Sequence, residues 1–69
     1  MNNEKRIAIC ATLGYALRIG FPLHIVQVLL DVVGDVVEDK LFYAKESRYV
    51  IERNLRAEMD SLKGEMKIA

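Results

Sequence analysis

The chain has 69 residues, ten basic and ten acidic side chains, and a hydrophobic content of 52%. A chain of this length forms one domain with a small core, and zero net charge argues against a partner held mainly by phosphate. One cysteine and one histidine exclude an internal disulfide and a structural zinc site, so self-association is the remaining route to stability.

The charges are uneven. Before Gly34 only Glu4, Lys5, Arg6, Arg18 and Asp31 are charged, and the remainder is amphipathic. Uncharged runs cover residues 7–17 and 19–30, both shorter than the roughly 20 residues of a spanning helix. Lys5 and Arg6 ahead of an apolar run mimic a signal peptide, yet removal of that segment would delete much of the only domain. The expected location is the cytoplasm, with Cys10 a buried reduced thiol.

A first helix is predicted from near Asn3, the expected cap, with Glu4 at the positive end of its dipole. Between residues 7 and 19 its polar side chains are Thr12, Tyr15 and Arg18, a pattern expected of a helix packed on more than one side. Ala8, Ala11 and Gly14 place small residues three apart, where another helix could cross closely. Gly20-Phe21-Pro22 then marks a tight helix–helix turn: Gly20 suits the left-handed position past a helix end, and Pro22 the first turn of the next helix.

Beyond Pro22 an apolar stripe runs through Leu23, Val26, Leu30, Val33 and Val37 at steps of three and four. It continues through Leu41, Ala44, Arg48, Ile51, Leu55, Glu58 and Leu62. A polar stripe of His24, Gln27, Asp31, Gly34, Asp35 and Glu38 lies opposite. Because both stripes pass Gly34 in phase, one continuous helix over residues 22–62 is expected, about 60 Å long. A break at Gly34 with Asp35 capping a third helix is the alternative, and a β-hairpin across residues 32–37 is a third. Glu52 and Arg56 form a favourable pair four apart, and Gly64 is expected to end the helix.

The predicted fold is therefore all-α: a helical hairpin over residues 1–69, dimerising through the long helix. Its seam would hold Leu30, Val33, Val37, Leu41, Ile51, Leu55 and Leu62, with Arg48 and Glu58 near each other across an antiparallel pairing to fix register. Catalysis is not indicated. His24 and Cys10 lie on different helices without an orienting group, and His24 reads as the start of a solvated stripe. Asp35, Glu38 and Asp39 could crowd a metal ion, but acids at a helix start explain them equally well. No phosphate-binding glycine loop is present, and neither a cofactor nor a metal is expected. Tyr43, Tyr49, Arg53 and Arg56 are the candidate partner-binding residues, because Tyr and Arg are enriched at binding hot spots.

Residues 17–30, LRIGFPLHIVQVLL, resemble part of the MerR regulator family, in which a Gly-Phe turn leads into a similar helix and a long dimerisation helix. The resemblance implies dimerisation and not DNA binding, since the winged DNA-binding portion has no counterpart here. The build of the whole chain (short, neutral, helical, with one hairpin) resembles the small phage-encoded antiactivators. That resemblance implies a helical dimer that binds and inhibits a host protein, either a LuxR-type transcription activator or a type IV pilus assembly ATPase. A small dimeric DNA-associated transcriptional regulator is the alternative reading, and a membrane-active small protein the third.

Overall fold

The computed structural model describes residues 2–33 and 46–68. Among them are three helices and no strand: α1 (Asn3–Arg18), α2 (Leu23–Val32) and α3 (Arg48–Ile68). The all-α class follows, as the periodicity requires.

Each helix start has a local cause. Asn2, not Asn3, caps α1: its side chain accepts from the Lys5 backbone N–H at 2.9 Å. At the other end the Phe21 N–H donates to Ala16 O (2.9 Å) and the Gly20 N–H to Leu17 O (3.3 Å), a Schellman arrangement. It requires a positive φ, and Gly20 supplies one of 95°. Pro22 stands one position ahead of the first residue of α2. Ser47 opens α3, its hydroxyl accepting from the Val50 N–H at 3.3 Å.

The continuous helix over residues 22–62 does not form. The α2 helix stops at Val32, with Val33 turning at its end, and Glu46 and Ser47 are non-helical before α3. Preserved phase is compatible with two helices that bury the same face, so periodicity alone did not reveal the interruption. Gly34, and with it the choice of a break or a hairpin there, lies outside the described residues. The α3 helix also runs past Gly64 to Ile68.

The α1 and α3 helices are antiparallel neighbours. Asn3 donates to Glu65 at 2.9 Å at one end, and Arg48 reaches Leu17 at the other. Cys10, Leu13 and Leu17 from α1, Val26 and Leu30 from α2, and Ile51 and Leu55 from α3 form one buried cluster. Among the described residues the close crossing expected at Gly14 is not used, for none of their heavy atoms would lie within 4 Å of an added Cβ there.

Candidate functional site

The seam residues of the apolar stripe are consumed within one chain. Leu30, Ile51, Leu55 and Leu62 are 0%, 1%, 1% and 2% exposed, and Val33 packs against the same core. Leu30, Ile51, Leu55 and Leu62 are thus buried within the chain, and Val33 is partly buried. Val37 and Leu41 lie outside the described residues.

The two polar residues of the stripe both have partners within the chain. The Arg48 guanidinium donates to Leu17 O at 2.8 Å and to Phe21 O at 2.7 Å, so a cation closes the negative end of α1. Glu58, 6% exposed, accepts from Arg6 at 2.8 Å. Beside this pair sits Cys10. Burial and then the Glu58 carboxylate push its thiol up from 9.0 to about 11, with the Arg6 guanidinium pulling the other way.

With one face of α3 in the core, the opposite face is fixed by geometry. Tyr49, Arg53, Arg56, Asp60, Lys63 and Lys67 follow at steps of four and three, and every one of them is exposed. The Arg53 guanidinium stacks over the Tyr49 ring, 5.7 Å from its centroid. Glu52 accepts from Arg56 at 3.1 Å, the pairing expected from their spacing. Three of the four candidate partner residues thus share one solvent-facing stripe, and Tyr43 lies outside the described residues.

Overall neutrality concealed how basic this stripe is. Glu58 is buried against Arg6, Glu65 is engaged by Asn3 and Glu52 pairs with Arg56 beside the row, so Asp60 is the acid in line with Arg53, Arg56, Lys63 and Lys67. The signal was present in the sequence as the positions midway between the core residues of α3.

A second free surface was not anticipated. Ile25, Val28, Leu29 and Val32 are 40%, 58%, 39% and 74% exposed and fall on one side of α2. Next to them, Ala8, Ile9, Thr12, Leu13, Leu29 and Val33 line a groove of about 290 Å³ between α1 and α2. His24 is exposed, in keeping with a solvated position. Among the described residues no group of three or more His, Cys, Asp or Glu side chains could hold a metal ion, and no helix is long and apolar enough to cross a membrane.

No protein-family model matches the chain, and it matches neither a curated protein nor a solved structure.

Proposed function

We propose that this chain is a non-enzymatic homodimeric protein that binds and inhibits or regulates another protein, a host transcription activator being the candidate its build suggests. The observation that carries the reading is the outer stripe of α3, where a rigid helix presents Tyr49 and Arg53 stacked together at the head of a basic row. Tyrosine and arginine give large contact area and planar donors, and the helix holds them in place before binding. The row selects a partner surface rich in carboxylates.

The test is a Tyr49→Ala, Arg53→Ala double variant expressed in the native host. Both side chains point to solvent, so helicity and sedimentation should match the wild type while the regulatory effect is lost. Retained activity with an unchanged fold would contradict the assignment.

The same basic row supports a second reading, a small DNA-associated regulator. That reading predicts duplex binding whose affinity falls steeply with salt, with a logarithmic slope of about −4 per chain for four phosphate contacts. A labelled duplex titrated at several salt concentrations separates the two.

A further inference from the structure

The exposed side of α2 is apolar along its whole length. Ile25, Val28, Leu29 and Val32 recur at the i, i+3, i+4, i+7 spacing of a helix contact surface, and all four stand outside the chain's own core. The two flanks of this stripe differ. One flank carries the exposed His24 and Asp31, which lie within about 20° of each other around the helix. The other runs from Leu29 to Val33 into the groove floored by Ala8, Ile9 and Thr12.

We infer that a second copy of the chain docks on this face, with the two α2 helices antiparallel about a two-fold axis near Val28. That operator keeps like flanks on the same side and reverses their order along the helix. Each His24 then comes level with the partner copy's Asp31, a donor beside a carboxylate, and Ile25 comes level with Val32. The apolar flanks meet on the other side, where the α1 floor widens the contact. A parallel pairing places each polar flank against the other copy's apolar one, leaving His24 and Asp31 without polar neighbours at the interface. Flank chemistry therefore selects the antiparallel arrangement. The inference deepens the dimeric state proposed above by giving its interface, and it is independent of what binds the outer stripe of α3.

Cysteine cross-linking tests the geometry. Chains carrying Ile25→Cys and chains carrying Val32→Cys are mixed and oxidised, with the wild type, whose Cys10 is buried, as control. A disulfide between the two variants is expected, and a dominant Ile25→Cys homodimer would overturn the arrangement. Sedimentation of Val28→Glu supplies the second arm: self-association should weaken by at least about a hundredfold, because the carboxylate would be buried unpaired. A Val28→Glu dimer of unchanged affinity would overturn the interface while leaving the dimeric state standing. A wild type that stays monomeric at all concentrations would overturn both, whether or not it binds phosphatidylglycerol-containing vesicles.

Discussion

Arg48 shows what one side chain contributes when it is placed at a helix end. Its two bonds bring a charged donor to Leu17 O in the last turn of α1 and to Phe21 O in the turn beyond it, and they tie the start of α3 to that turn. Arg48→Met keeps the stem but loses both bonds, and a cost of about 2 kcal/mol in urea unfolding is expected; an unchanged midpoint would show that the cap is dispensable. Gly14 behaves oppositely. It sits in mid-helix with open space around it, so Gly14→Ala should stabilise by up to about 1 kcal/mol, read as a higher melting temperature. The Cys10 thiol, raised to about 11, stays protonated and buried at pH 8. Its reaction with a thiol reagent should be slow in the native protein and fast in urea. The folded value lies above the usual 9.0, so its contribution to stability is complete below pH 9 and is lost as pH rises through about 11.

At the scale of elements, the pairing of α1 with α3 rests on the apolar cluster and on the largely buried Arg6–Glu58 ion pair. Breaking such a pair leaves a charge without compensation, whereas replacing both members by apolar side chains is far milder. Arg6→Met alone should therefore cost about 3 kcal/mol, and Arg6→Met with Glu58→Leu should recover most of it; additive losses in the double variant would contradict this. The elements themselves were legible where their cause is local. Gly20 was readable because only backbone sterics decide a left-handed residue, and the buried faces of α2 and α3 were readable because helical spacing is local too. Their partner was not. A stripe at steps of three and four says that a face is covered, and Ile51 or Leu55 would read the same against α1 as against a second copy. Arg48 and Glu58 stood out for the same reason, as polar residues in an apolar row, but the groups that satisfy them come from residues 31 and 52 positions away. Ser47, whose hydroxyl accepts from the Val50 N–H, is a local start signal for α3, whereas the apolar phase runs on unchanged through Gly34 and carries no mark of it.

For the whole molecule, the consequence is a division of surfaces. The inner face of α3 closes the chain's own core against α1 and α2, its outer face carries Tyr49 and the basic row, and α2 keeps an exposed apolar side, the one we propose a second copy covers. A protein built this way keeps its fold as a single chain, in contrast to one whose core forms between chains. The most direct measurement is thermal unfolding of Val28→Glu by circular dichroism at protein concentrations where it sediments as a monomer. The account predicts wild-type helicity and a cooperative melt whose midpoint does not change with concentration. Loss of helix on dissociation would contradict it, by showing that Ile51 and Leu55 need a second chain to be buried.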